Sequence, residues 1–203
     1  SYIEPHIEQA DILETKGAVI GVVSGIQGKK TYDITVKGRE AHAGTEPMGR
    51  RQDAVQAFAR MATRMHAAMA GDDVVKFTIG RVTVEPNAPS VVPAKVTFRI
   101  DLRHPDNTAL DVFGAQIEEI AIGEAGSCTV DIRRLVDAPS NSFDEGLKAQ
   151  IRASADRHGY PRLDVLSAAG HDARQMAPLT RSAMIVFPCR GGVSHHPDEW
   201  AEP

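Results

Sequence analysis

Along residues 31–135 the spacing of the hydrophobic side chains switches between the strand period of two and the helix period of 3.6, and the order of those switches constrains the fold more than any other feature. Tyr32, Ile34 and Val36 alternate with polar residues, as a strand with one buried face requires. Over residues 52–70 the apolar set Ala54, Phe58, Met61, Met65 and Met69 recurs at helical spacing, with Gly71 as a stop signal. Val75, Phe77 and Ile79 alternate up to Gly80, after which Val82 and Val84 continue in the opposite phase. That slip predicts a bulge at the glycine. Val96, Phe98, Ile100 and Leu102 then face one way while Lys95, Thr97, Arg99, Asp101 and Arg103 face the other. Thr108 with Asp111 reads as a capping box opening a second helix, whose stripe Leu110, Phe113, Ile117 and Ile120 ends near Gly123. Cys128, Val130 and Ile132 supply the last alternation.

Strand, helix, strand, strand, helix, strand is the ferredoxin-like βαββαβ order. Two helices cover one face of such a sheet and leave an edge strand that calls for a partner, so a homodimer through this module is expected. The flanks have a different character. Residues 18–24 and Ser182–Phe187 are continuous apolar runs, as in strands covered on both faces, with a helix predicted over residues 143–158 between them. The expected class is therefore α/β, or α+β taken as a whole. A ferredoxin-like lid or dimerisation module over residues 28–136 would be inserted into an α/β domain built from residues 1–27 and 137–203.

Composition narrows the function classes. A net charge of -4 with dispersed basic residues gives no broad attraction for phosphate backbones, which excludes nucleic acid as the expected partner. The longest apolar run falls far short of the ~20 residues a membrane-spanning helix needs. Two cysteines, Cys128 and Cys189, make no disulfide framework, and a cytoplasmic protein is expected.

Four stretches carry the chemistry. Glu4-Pro5-His6-Ile7-Glu8-Gln9 packs an imidazole, two carboxylates and an amide into six residues. Gly191-Gly192-Val193-Ser194-His195-His196 follows an apolar strand, and its glycines let the chain turn sharply before presenting a histidine. Imidazole donates a lone pair to a divalent cation without adding charge while carboxylates offset the cation's charge, so sites mix the two. In Gly38-Arg39-Glu40-Ala41-His42-Ala43-Gly44, His42 is placed either to polarise a carbonyl or to serve as a satisfied loop residue. Ala169-Gly170-His171-Asp172 sets a histidine at a helix start, with capping by Asp172 as the plainer reading.

Together these stretches resemble the N-carbamoyl-L-amino-acid hydrolase, allantoate amidohydrolase and β-ureidopropionase group, within the zinc aminoacylase and carboxypeptidase superfamily. The family's His-Ile-Glu-Gln-Gly run is present as His6-Ile7-Glu8-Gln9-Ala10 and its His-Ala-Gly-Thr-x-Pro-Met run as residues 42–48. Further matches are Pro86-Asn87-Ala88-Pro89-Ser90-Val91-Val92-Pro93, Asp101-Leu102-Arg103 and Ser194 through Glu199. The resemblance implies a metal-dependent amidohydrolase acting on a linear amide or ureido bond, with a small carbamoyl or ureido acid as substrate. His6 and His195 would each bind one ion of a pair, zinc or manganese. Gln9 would contact the amide or ureido group, and Arg103 the substrate carboxylate. His42, from the opposite subunit, would be catalytic, stabilising the oxyanion and touching substrate. Asn87, Ser90, Gly170 and His171 would complete the substrate site.

Two departures bear on that implication. Ala10 replaces a glycine, which is tolerable where φ is negative, and Ser90 stands where the family has an asparagine, which removes an amide donor and acceptor. The family also carries a His-x-Asp motif and a Glu-Glu pair ahead of the region matched here, and neither precedes His6. Glu118-Glu119 lies on the second helix of the module and reads as a solvated face. These residues alone are thus expected to hold none or one of the two ions and to be inactive. An aminoacylase or dipeptidase of the same superfamily is one alternative, although such relatives usually place a carboxylate where His6 stands. A non-catalytic dimerisation module is the other.

Overall fold

The computed structural model of the chain describes residues 1–202. It divides into two compact units: Gly28–Pro139, and Ser1–Gln27 together with the chain from Ser140 onward. In chain order the elements are β1 (Tyr2–Ile7), α1 (Ile12–Lys16), β2 (Ile20–Ile26), β3 (Gly28–Lys37), β4 (Ala41–His42), α2 (Ala54–Met69), β5 (Lys76–Glu85), β6 (Val91–Val92), β7 (Lys95–His104), α3 (Asn107–Gly123), β8 (Thr129–Ala138), β9 (Asn141–Ser142), α4 (Glu145–Arg157), β10 (Arg162–Ser167), α5 (Ala173–Met176) and β11 (Ser182–Phe187).

The inserted unit is an antiparallel sheet in the order β5-β7-β3-β8. Taken as the first to fourth strands of the module, that order is two, three, one, four, the ferredoxin-like topology the periodicity predicts. Tyr32, Ile34 and Val36 on β3 and Val96, Phe98, Ile100 and Leu102 on β7 are completely buried, packed with Met61 and Met65 of α2 and Leu110 and Ile117 of α3. Each such side chain contributes ~1.5–3 kcal/mol of hydrophobic burial. The opposite face is a polar ladder. On it Arg99 donates to both oxygens of Asp33, at 2.7 and 2.6 Å, and Thr35 lies 3.3 Å from Thr97. The register between β5 and β7 slips between Ile79 and Arg81, which puts the bulge at Gly80.

Helix starts depend on local hydrogen bonding. Asp53 caps α2 by accepting from the amides of Val55 and Gln56. The capping box expected at Thr108 and Asp111 does not form. Asp106, in an extended backbone conformation, caps α3 by accepting from Ala109 N at 2.7 Å, and Thr108 falls inside the first turn. Asp111 pairs instead with the buried Lys30 ammonium at 2.6 Å. An aspartate followed three residues later by a free amide satisfies the helix start two residues earlier than the threonine could.

The second unit holds a mixed sheet ordered β1-β11-β2-β10, with β9 added against β2. The β1/β11 and β2/β10 pairs are parallel, whereas β11 and β2 run antiparallel. Its two central apolar strands are covered on both sides, since successive residues point to opposite faces. Val22 and Ala183 pack with Leu147 and Ile151 of α4, and Val23, Met184 and Val186 pack with Leu13 of α1 and Ala173 of α5. No helix among the described residues is long and apolar enough to cross a membrane.

Candidate active-site residues

Strand period places Glu4 and His6 on the same face of β1, and His171 joins them from the loop before α5. The His6 and His171 rings meet edge to face with centroids 4.6 Å apart. His171 is almost fully enclosed, with 3% of its side chain exposed; its Nε2 lies 2.9 Å from Ser167 Oγ and its Nδ1 3.8 Å from Glu4 Oε1. Burial pushes the His171 pKa down, the neighbouring His6 adds to this, and Glu4 pulls the other way. The other Glu4 oxygen accepts from Ala173 N at 2.6 Å. This corrects the capping expected of Asp172, whose side chain makes no cap bond; the first amide of α5 is satisfied from β1.

Proton positions at His6 follow from its partner. Nδ1 lies 2.8 Å from the Ile7 carbonyl, which can only accept, so Nδ1 carries the hydrogen and Nε2 keeps its lone pair. Three residues on, Gln9 adopts a left-handed backbone with φ of 61°, and its amide nitrogen lies 3.3 Å from Nε2 of His195. That bond requires an unprotonated His195 Nε2 receiving the amide hydrogen. Ala10, unlike Gln9, is not among the residues with positive φ.

The glycine pair determines how closely the two ends of the chain approach. A Cβ on Gly192 would lie 2.9 Å from both Ala10 C and Asp11 N, and Gly191 N donates to Glu14 Oε2 at 2.8 Å. His195 itself has a φ of 56°, and its amide donates to Glu199 Oε2 at 2.9 Å. Gly170 has open space where a Cβ would stand. Among the described residues no group of three or more His, Cys, Asp or Glu side chains could hold a metal ion. His6 fits as an individual donor through Nε2, whereas His195 Nε2 accepts the Gln9 amide hydrogen and would have to release it to hold an ion; a closed centre also needs donors beyond this pair.

The remaining expected residues belong to the ferredoxin-like unit. His42 pairs with Val91 through β4 and β6, and Ala43 N donates to Ser90 O at 3.0 Å, which sets His42 and Ser90 on adjoining segments. Asn87, with φ of 56°, precedes Ser90 on the same loop. Gly44 N donates to His42 Nδ1 at 3.0 Å, so the neutral ring carries its hydrogen on Nε2, the tautomer opposite to that of His6. Arg51 fastens the loop by donating to Ala43 O at 2.7 Å and to Glu46 O at 3.0 Å. Arg103 lies on β7 with its fork on Asp101, Nε to Oδ1 at 2.7 Å and Nη2 to Oδ2 at 3.2 Å. That bond raises the Arg103 pKa, and Lys29 also reaches Asp101 at 2.8 Å.

Sequence reasoning did not anticipate Glu4 as the partner of His171 or Ser167 as its anchor. Glu4 lies 169 residues from the amide it caps, and no spacing rule links them.

The chain thus combines a mixed α/β unit holding the paired histidines with a ferredoxin-like module inserted in its sequence. The peptidase dimerisation domain family matches residues 24–129, and the chain belongs to that family. It is 38% identical to allantoate amidohydrolase of Escherichia coli and 37% identical to N-carbamoyl-L-amino-acid amidohydrolase of Rhizobium meliloti, each match covering 98% of this chain and 49% of the relative. A crystal structure of an amidase of the hydantoinase/carbamoylase family from Burkholderia vietnamiensis superposes with a TM-score of 0.89 at 36% identity, over 98% of this chain and 49% of that one. The chain thus spans about half the length of the curated relatives it matches.

Proposed function

We propose that these residues form part of a metal-dependent amidohydrolase that cleaves the linear amide or ureido bond of an N-carbamoyl-L-amino acid or an allantoate-like ureido acid, as a homodimer joined through the ferredoxin-like unit. The observation that carries the reading is the tautomer of His6, whose Nδ1 hydrogen is committed to the Ile7 carbonyl and whose Nε2 lone pair is left for a ligand role. His195 is the second donor, its Nε2 exchanging the Gln9 amide hydrogen for the ion, which would leave the Gln9 side chain to meet the substrate amide. A pair of divalent ions, zinc or manganese, supplies Lewis acidity and an activated water when bound.

The remaining roles fall to side chains of the ferredoxin-like unit. His42 presents Nε2–H, because its Nδ1 already accepts from Gly44, and a donor of that kind stabilises charge developing on a carbonyl oxygen. Arg103 offers a planar fork for the substrate carboxylate, which would displace Asp101 from it. Asn87 and Ser90 of the ferredoxin-like unit and Gly170 of the mixed-sheet unit are substrate contacts in this reading, with Ser90 in place of the asparagine that the resemblance implies, whereas the enclosed His171 is better suited to support His6.

The test is a chimera in which this chain replaces the matching half of the Escherichia coli relative. Hydrolysis of allantoate or an N-carbamoyl amino acid, abolished by His6→Ala and by His195→Ala, is the expected result. A folded, dimeric chimera that loads metal yet hydrolyses neither substrate would leave the non-catalytic dimerisation role as the better account. The 203 residues alone are expected to bind zinc or manganese weakly and to show no turnover; appreciable hydrolysis by them would refute that part.

A further inference from the structure

We infer that Glu4, His171 and Ser167 form a positioning set that locks the His6 ring in the orientation and tautomer in which Nε2 is the free nitrogen. The inference rests on the reading of His6 as a metal ligand and adds positions to it that the motifs assign to substrate or to nothing. His6 has two restraints: its Nδ1 is tied to Ile7 O at 2.8 Å, and its ring meets the His171 ring at a centroid separation of 4.6 Å and an interplanar angle of 70°. One hydrogen bond fixes a direction but leaves the ring free to swing about it or to flip. An edge-to-face neighbour removes that freedom only if the neighbour is itself fixed.

His171 is hydrogen-bonded on one side and confined by a carboxylate on the other. Ser167 Oγ lies 2.9 Å from its Nε2, and Ser167 is in turn held by Ala169, whose amide donates to Oγ at 3.3 Å. Across the ring Glu4 Oε1 stands 3.8 Å from Nδ1, and Glu4 is held by Ala173 N at 2.6 Å and by the Tyr2 hydroxyl at 3.3 Å. Enclosure of the His171 side chain, 3% exposed, leaves it little access to a ligand and suits a supporting role better than substrate contact. Glu4 therefore links three things at once: the start of α5, the buried imidazole, and the strand that carries His6. Ligand imidazoles are held in this manner, with a backbone carbonyl choosing the tautomer and packed neighbours choosing the ring plane.

The readout is the pair of ring nitrogen signals of His6 in the whole 15N-labelled chain, without metal, at a pH where imidazoles are neutral, assigned with His6→Gln. Wild type is expected to show two well-separated signals, a protonated Nδ1 and an unprotonated Nε2. In His171→Ala the two should move toward a common average as tautomers and ring flips mix, and Ser167→Ala, acting through His171, should move them the same way by less. A role confined to stability would lower the melting temperature and leave the His6 separation intact. Unchanged His6 signals in either folded variant overturn the inference, and Ser167→Ala decides it should His171→Ala fail to fold. Since no metal enters the measurement, a lost tautomer preference beside an inactive chimera would refute the function alone. An active chimera with unmoved ring signals would refute the positioning alone.

Discussion

Replacing Gly192 by alanine probes the close approach on which the candidate site depends. Two penalties act at this position. Its φ of 67° is left-handed, which costs an L-residue with a Cβ ~1–2 kcal/mol, and the new methyl would lie 2.9 Å from two backbone atoms, Ala10 C and Asp11 N. Backbone cannot rotate aside as a side chain can, so the turn or the residue 10–11 segment must shift, an overpacking cost of ~1–3 kcal/mol. Stiffening of the unfolded chain returns only ~0.4–1 kcal/mol. The net loss is about 1–4.5 kcal/mol, centred near 3. Gly191 is the internal control: its φ of 60° carries the same conformational penalty, but nothing lies within 4 Å of its Cβ, so Gly191→Ala should cost only about 1 kcal/mol. The single tryptophan reports directly on this turn, because Arg190 sits over the Trp200 ring at 5.4 Å and Arg190 N donates to Trp200 O. Urea unfolding followed by Trp200 fluorescence measures both variants. Equal losses for the two would refute the claim that the glycine turn bears on the residues after Gln9.

Three further outcomes are expected in the ferredoxin-like unit. Asp106→Ala should cost ~1 kcal/mol in urea unfolding followed by circular dichroism, whereas Thr108→Ala should cost little, which checks the position of the α3 cap. Met61→Ala, at a completely buried position of α2, should cost ~2–5 kcal/mol by the same measurement. The Arg99 bonds hold the Asp33 carboxyl below its ordinary value of 3.8, against the upward push of partial burial. A carboxylate depressed on folding stabilises above its unfolded pKa and loses that contribution as pH falls through the folded one. The urea midpoint should therefore drop as pH is lowered from about 5 toward 3, and the drop should be shallower in Asp33→Asn. An unchanged pH slope in that variant would contradict the pairing.

Local rules made much of the fold legible. Alternation is a property of the pleat itself, so Val96, Phe98, Ile100 and Leu102 identify their strand and its buried face without reference to a partner, and the phase slip at Gly80 marks a bulge before any strand is paired. The helices α2 and α4 were readable for the same reason. Capping was less so: Thr108 with Asp111 and Asp106 with Ala109 are both acceptable helix starts by spacing, and what separated them is that Asp111 is drawn to the buried Lys30, a contact between residues 81 apart.

At the candidate site the division is sharper. The sequence alone determined which residue types were available, His6, Gln9, His42 and His195 among them, and that glycines stood where the chain had to turn. Tertiary structure decided what each touches: Gln9 meets His195 across 186 residues, and Glu4 caps the helix after His171 across 169. Which nitrogen of His6 and His42 carries hydrogen is set locally, by the Ile7 carbonyl and the Gly44 amide one and two residues away, but only the folded backbone shows which of those groups faces the ring. Loops have no period, so the hydrogen bonds that fix a functional side chain come from whatever the packed elements bring alongside it.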